Sequence, residues 1–138
     1  MKSILIVDDD PMFREIVRMR LSAAGYQTFV AAGAEEGWEK AKAHRPDVVL
    51  LDLVMPQVDG VVFLRRLRAD PALAATPVVV VSGLSFMALT KAAEQLGIHS
   101  QLIKSRFTLG ELVQRVTSIL PDRCPVPVPA PATAAVAS

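Results

Sequence analysis

The stretch ILIVDDDP at residues 4–11 places four apolar residues directly before three carboxylates and a proline. Two further runs, VVLL at 48–51 and VVVV at 78–81, are equally apolar and uninterrupted. A half-exposed strand alternates apolar and polar residues, whereas a strand of a parallel sheet that is covered on both faces is apolar throughout. The three runs therefore predict buried parallel strands.

Amphipathic segments separate these strands. Apolar residues follow helical spacing up to Ala24, and Gly25 stands where a helix ends in a left-handed residue. Thr108 and Glu111 fit a capping box at the start of the last helix. Weaker strand patterns cover 27–31 and 101–103, and we expect helices over 11–24, 34–44, 60–69, 86–96 and 109–120. Five strands that each precede a helix predict a doubly wound α/β domain with a five-stranded parallel sheet.

Composition bounds the possible functions. The chain has 138 residues, of which 51% are hydrophobic, and its formal net charge is +1, which gives no global attraction to nucleic acid or to anionic membranes. The single cysteine, Cys124, cannot form an internal disulfide, and no apolar run approaches a signal peptide or a membrane span. We expect one folded domain over 1–120, a disordered Pro/Ala-rich tail over 121–138, and a cytoplasmic location.

Polar residues follow four of the predicted strands, at the edge where doubly wound sheets bind ligands. Asp8 and Asp9 follow the first strand, Asp52 the third, Ser82 the fourth and Lys104 the fifth. Three crowded carboxylates repel one another and favour a hard divalent cation, which we expect to be Mg²⁺. Such a cation, together with a lysine and a hydroxyl, would allow the site to hold a phosphoryl group, and one carboxylate could then attack phosphorus.

These motifs resemble the receiver domain of two-component response regulators, the CheY-like family. The resemblance covers residues 2 to about 120 and includes the Asp8-Asp9 pair, the segment DLVMPQVDG at 52–60, Ser82 and Lys104. It implies a flavodoxin-like (βα)5 fold with strand order 2-1-3-4-5. It also implies transfer of a phosphoryl group from a histidine kinase or a histidine phosphotransfer protein, and signalling by docking to a downstream target protein.

The same resemblance implies roles for individual residues. Asp52 would be the phosphoacceptor, and Asp8 and Asp9 would hold Mg²⁺ together with Asp52 and the backbone carbonyl of Val54. Ser82 and Lys104 would contact the phosphoryl group. The small residue that leaves the acceptor accessible would be Gly83.

Two positions depart from the family pattern. Gln101 stands three residues before the lysine, where the family usually has Tyr or Phe, and Ser105 follows the lysine in place of proline. Because the aromatic residue normally moves inward on phosphorylation, the switch would be transmitted differently here. An alternative therefore remains, in which the chain is a receiver-fold interaction module that is not controlled by phosphorylation.

Other function classes fit the sequence less well. A haloacid-dehalogenase phosphatase needs a second aspartate two residues after the nucleophile, where this chain has Val54. A flavin site would need a phosphate loop where three aspartates stand, and the chain has no Gly-x-x-x-x-Gly-Lys loop. Arg65, Arg66 and Arg68 share one helix and are interpreted as a solvated outer face rather than as a DNA-binding patch.

The chain is therefore expected to be a phosphoacceptor that assists its own phosphorylation and dephosphorylation, rather than an enzyme with a separate substrate. By resemblance, the docking surface for its target would lie on the fourth helix, the fifth strand and the fifth helix. That region has Ile98-His99-Ser100 in place of the acidic pair of dimerising regulators, which favours a monomer. No nucleic acid or membrane partner is expected.

The lifetime of the phosphoryl group is the first testable prediction. Val54 and Leu84 stand at the positions that flank the attacking water in the family, and neither side chain can orient or activate water. We predict slow hydrolysis of the aspartyl phosphate. The protein would be phosphorylated with a small acyl phosphate, the donor removed and the decay followed; loss within seconds would contradict the prediction.

Overall fold

The computed structural model describes residues 2–53, 60–82, 87–103 and 108–119. Strands and helices alternate along the chain, as the sequence predicts. The strands are β1 Ser3–Val7, β2 Gln27–Ala31, β3 Val48–Asp52, β4 Val78–Ser82 and β5 Ser100–Ile103. The helices are α1 Pro11–Ala23, α2 Ala34–His44, α3 Gly60–Ala69, α4 Met87–Leu96 and α5 Leu109–Ile119. The tail predicted over 121–138 lies outside the described residues.

The five strands form one sheet in the order β2-β1-β3-β4-β5, and every neighbouring pair is parallel. This confirms the doubly wound fold predicted from the sequence pattern and the strand order implied by the family resemblance. β1 and β3 are neighbours, with Val7 opposite Leu51, so the residues that follow them emerge side by side at the carboxyl edge.

Two apolar cores cover the two faces of the sheet. Alternate strand residues such as Leu5 and Val49 pack with the buried side chains of α2, α3 and α4, including Phe63. The intervening residues, such as Ile6, pack with the buried side chains of α1 and α5. Because successive strand residues point to opposite faces, an uninterrupted apolar run is the sequence that fills both cores.

The predicted ends of the helices have the expected local geometry. Gly25 and Gly97 follow α1 and α4 with φ of 99° and 93°, a left-handed conformation that favours glycine. The Thr108 hydroxyl accepts a hydrogen bond from the Glu111 amide at 3.1 Å, and the Glu111 carboxylate accepts one from the Thr108 amide at 2.8 Å. The capping box predicted for the last helix is therefore present.

The interpretation of the three arginines of α3 was wrong for Arg68. Its guanidinium donates to the carbonyl oxygens of Leu96 and Gly97 at the end of α4, and to those of Ala74 and Thr76 before β4. Burial lowers the pKa of Arg68. The planar guanidinium has five donors in a fixed fork, so this one side chain can join α3 to the end of α4 and to the segment before β4.

Its neighbours on α3 are placed differently. Arg65 and Arg66 are exposed, as predicted, and the Arg66 guanidinium lies 4.7 Å from the centre of the Trp38 ring while donating to Glu35. Spacing alone could not distinguish Arg68 from these two, because its partners lie outside α3, in the segment before β4 and at the end of α4.

Replacing Arg68 by methionine keeps the apolar stem of the side chain and removes its N–H donors. The partly buried carbonyl oxygens of Ala74, Thr76 and Leu96 then lose the hydrogen bonds from Arg68. We predict that Arg68→Met lowers the free energy of unfolding by about 2 kcal/mol. Arg65→Met, on the exposed side of the same helix, should change it by less than about 0.5 kcal/mol. Denaturant unfolding of both variants measures the difference, and equal effects would contradict the assignment.

Candidate functional site

The turn between β1 and α1 carries Asp8, Asp9 and Asp10, which have separate tasks. Asp10 caps α1: its carboxylate accepts hydrogen bonds from the amides of Met12 at 3.0 Å and Phe13 at 3.3 Å, with Pro11 at the start of the helix. The cap satisfies amides that have no partner inside the helix. Asp8 and Asp9 are thus the two carboxylates of this turn that do not cap α1.

Asp52 reaches the same edge as the last residue of β3. Its backbone is opposite Val81 of β4, and the next residue, Leu53, donates its amide to the Val81 carbonyl at 3.2 Å. Asp8 and Asp52 are each only 2% exposed, and Asp9 is partly exposed. Two buried carboxylates therefore lie close to a third that solvent can reach.

The three predicted carboxylates come together. One oxygen from each of Asp8, Asp9 and Asp52 lies within 4.8 Å of the other two. An octahedral Mg²⁺ with bonds of about 2.1 Å separates its ligand oxygens by about 3 to 4 Å, so small side-chain movements would bring all three into one coordination sphere. The donor set also fits, because Mg²⁺ prefers carboxylate oxygens and retains waters.

Asp8 is held at several atoms. Its amide donates to the Ala31 carbonyl at 3.1 Å, and its Oδ1 accepts from the Asp10 amide at 2.8 Å. Its own carbonyl accepts from Arg14 Nη1 at 2.9 Å. Arg14 has no sequence signal that would reveal this role, since an arginine inside a helix carries no motif that indicates a contact with a preceding loop.

Gly60 brings the start of α3 against the backbone of the site. Its amide donates to the Leu53 carbonyl at 2.7 Å. A Cβ built on Gly60 would lie 2.5 Å from the Asp52 carbonyl oxygen and 2.8 Å from the Leu53 Cα. Real Cβ atoms do not approach backbone this closely, so the absence of a side chain is what allows α3 to begin here.

The other predicted residues fall into two groups. Ser82 ends β4 opposite Ile103, the residue before Lys104, and Gln101 lies half-buried in β5 opposite Val80. The backbone of Ser82 therefore reaches the carboxyl edge, while Gln101 lies two residues before the end of β5. Outside the described residues lie Val54, Gly83, Leu84, Lys104 and Ser105, whose roles stay predictions.

The family comparison matches most of the chain. The model described as "Response regulator receiver domain" matches residues 4–117. The "DNA-binding dual master transcriptional regulator RpaA" of Synechocystis is 35% identical over 127 residues, which are 91% of this chain and 52% of that protein. The chain spans between 35% and 52% of the length of five curated relatives that it matches.

Solved structures show the same fold. Chemotaxis protein CheY4 of Vibrio cholerae has a TM-score of 0.79 and 27% sequence identity, with coverage of 86% of this chain and 98% of that chain. Response regulator TrrA of Thermotoga maritima, in complex with Mg²⁺-BeF, has a TM-score of 0.74 and 27% identity, with coverage of 86% and 99%. Across the described residues, the helices include none of the length and apolar character that crossing a bilayer requires.

The close approach at Gly60 yields a prediction with an internal control. Alanine is the better helix former, so Gly110→Ala in α5, where a Cβ would meet only Thr108 Oγ1 at 3.7 Å, should stabilise the protein or leave it unchanged. Gly60→Ala should destabilise it by about 2 kcal/mol, because the Asp52 backbone must shift. Thermal unfolding of both variants tests this; a neutral Gly60→Ala would contradict the packing.

Proposed function

Because this chain belongs to the family of response regulator receiver domains, which act in two-component signalling, we propose that it accepts a phosphoryl group on Asp52 in an Mg²⁺-dependent reaction. One observation carries this proposal. Asp8, Asp9 and Asp52 present oxygens within 4.8 Å of one another at the carboxyl edge of the sheet. Such a cluster suits a divalent cation, and Asp52 is its only member at the end of a central strand rather than in a turn.

The proposed transfer uses Asp52 as the nucleophile. A carboxylate oxygen of Asp52 attacks the phosphorus of a phosphohistidine, the new O–P bond forms, and the N–P bond breaks. The donor imidazole leaves and takes up a proton. Two carboxylates beside the nucleophile would repel an incoming phosphoryl group, so the reaction requires their charge to be offset.

Mg²⁺ would be held by Asp8, Asp9 and Asp52 together with the Val54 carbonyl. When bound, it neutralises carboxylate charge and draws electron density from the phosphoryl oxygens. The Asp10 cap, the Leu53 amide and the close contact at Gly60 hold the acceptor and its neighbours in place. Ser82 and Lys104 would bind the remaining phosphoryl oxygens, the lysine as a point charge.

The donor would be a histidine kinase or a histidine phosphotransfer protein, and the phosphorylated chain would signal by docking to a target protein through α4, β5 and α5. We place the protein in the cytoplasm as a monomer. The chain is an acceptor that assists its own phosphorylation and dephosphorylation rather than an enzyme. We do not assign to this chain the DNA binding of its longer relative RpaA, because the matched region is 52% of that protein.

A second candidate is an interaction module that phosphate does not control. Gln101 favours it, because an amide stands half-buried in β5 where the family usually has an aromatic switch residue. Burial of apolar surface drives an aromatic ring into an apolar cavity, and this driving force does not act in the same way on a polar amide. Phosphorylation and its structural effect therefore need to be measured separately.

Incubation with acetyl phosphate and Mg²⁺ tests the proposal. We predict that wild-type protein gains the mass of one phosphoryl group, that Asp52→Ala gains none, and that a chelator prevents the gain. Asp10→Asn is the matched control, because Asp10 caps α1 and an asparagine is also a good cap; it should be phosphorylated like wild type. No gain in the wild type, or an equal gain in Asp52→Ala, would favour the interaction module.

A further inference from the structure

The side chain of Arg14 turns back from α1 to the loop that holds the carboxylates. Its backbone amide donates to the Asp10 carbonyl at 2.9 Å, as part of the helix, while its Nη1 donates to the Asp8 carbonyl at 2.9 Å. Helical side chains lean towards the N-terminus, so a long side chain in the second turn can reach the residues before the helix. Arg14 therefore connects α1 directly to the backbone of a predicted metal ligand.

The contact with Arg14 is one of several hydrogen bonds that hold Asp8. Ala31 accepts from its amide, the Asp10 amide binds its Oδ1, and Arg14 binds its carbonyl. The first bond fixes the loop to β2, the second fixes the carboxylate, and the third fixes the peptide plane that leads into Asp9. Without the third bond, the peptide between the two predicted ligands would lose a charge-assisted contact.

The charge of Arg14 stands in an unfavourable place. Cations are disfavoured near helix N-termini, where the macrodipole is positive, and a cation beside a predicted Mg²⁺ site would weaken metal binding. Nearby carboxylates offset part of this cost. The pKa of Glu36 is lowered, first by the hydrogen bond from the Ala32 amide and further by the charges of Lys40 and Arg14. A stabilising hydrogen bond from Arg14 to the loop that carries Asp8 would explain why an arginine stands here despite this electrostatic cost.

We propose that Arg14 is a positioning residue, which holds the β1–α1 loop in the conformation that presents Asp8 and Asp9 to a divalent cation. The inference rests on the proposed function, because it concerns the same cation. Two effects compete when Arg14 is removed: loss of the carbonyl contact disorders the ligands, and loss of the charge relieves repulsion. Salt at about 0.15 M, with a Debye length of about 8 Å, screens this short-range repulsion only in part. The two effects change Mg²⁺ affinity in opposite directions, and we expect the loss of the contact to dominate.

The test measures the Mg²⁺ dissociation constant of wild type, Arg14→Met and Arg14→Lys by calorimetry at that salt concentration. Arg14→Met should bind Mg²⁺ about tenfold more weakly, the loss expected for one charge-assisted hydrogen bond. Arg14→Lys, which keeps one donor group and the charge, should be intermediate. With saturating Mg²⁺, Arg14→Met should recover the wild-type maximal rate of phosphorylation by acetyl phosphate, because only the loading of the site is impaired.

Amide hydrogen exchange of Asp10 in the metal-free protein provides a readout that does not depend on phosphorylation. It should be faster in Arg14→Met and unchanged in Arg18→Met, the matched control, whose arginine pairs with Glu15 on the surface of the same helix. Wild-type affinity and wild-type exchange in Arg14→Met would overturn the inference. Tighter Mg²⁺ binding in Arg14→Met would also overturn it, since repulsion would then dominate.

The two proposals fail in different ways. Wild-type protein that binds Mg²⁺ but accepts no phosphoryl group would contradict the proposed function, while weaker Mg²⁺ binding by Arg14→Met would still support the role of Arg14. Wild-type protein that binds no Mg²⁺ would overturn both.

Discussion

Crowding of like charges at one edge of the sheet is the constraint on which this structure depends. Asp8 and Asp52 are both almost fully buried, and with Asp9 they bring oxygens to within 4.8 Å of one another. Three carboxylates at such distances repel, and burial strengthens the repulsion. They stay together because β1 and β3 are neighbouring strands with two apolar faces, and the burial of those strands supplies the free energy that the charges oppose.

The surroundings of the cluster limit how far it can relax. Asp10 begins α1 directly after the two turn carboxylates, Gly60 places α3 against the Asp52 carbonyl, and Arg14 holds the Asp8 carbonyl. A rigid frame with closely spaced charges is what a cation site needs before the ion arrives, since little ordering remains for the binding step. The same frame suits phosphoryl transfer, which depends on the positioning of the reacting groups and on neutralisation of their negative charge.

Much of the fold and the core of the site could be predicted from local sequence. Uninterrupted apolar runs revealed the buried strands, Gly25 marked the end of the first helix, and Asp8, Asp9 and Asp52 were recognisable because topology brings strand ends together. Contacts that depend on how separate elements pack against one another could not be predicted in this way. Arg68 looks like a surface arginine until α4 and the segment before β4 are placed against it, and the need for Gly60 appears only when α3 approaches Asp52.

Thermal unfolding with and without Mg²⁺ tests most directly whether the three carboxylates are held together for a cation. Without metal, Asp9→Asn should unfold at a higher temperature than wild type, because one repelling charge is gone. Saturating Mg²⁺ should raise the unfolding temperature of the wild type, as any ligand of the native state does, and should raise that of Asp9→Asn less. A wild-type unfolding temperature that does not respond to millimolar Mg²⁺ would contradict the assignment of this cluster as a metal site.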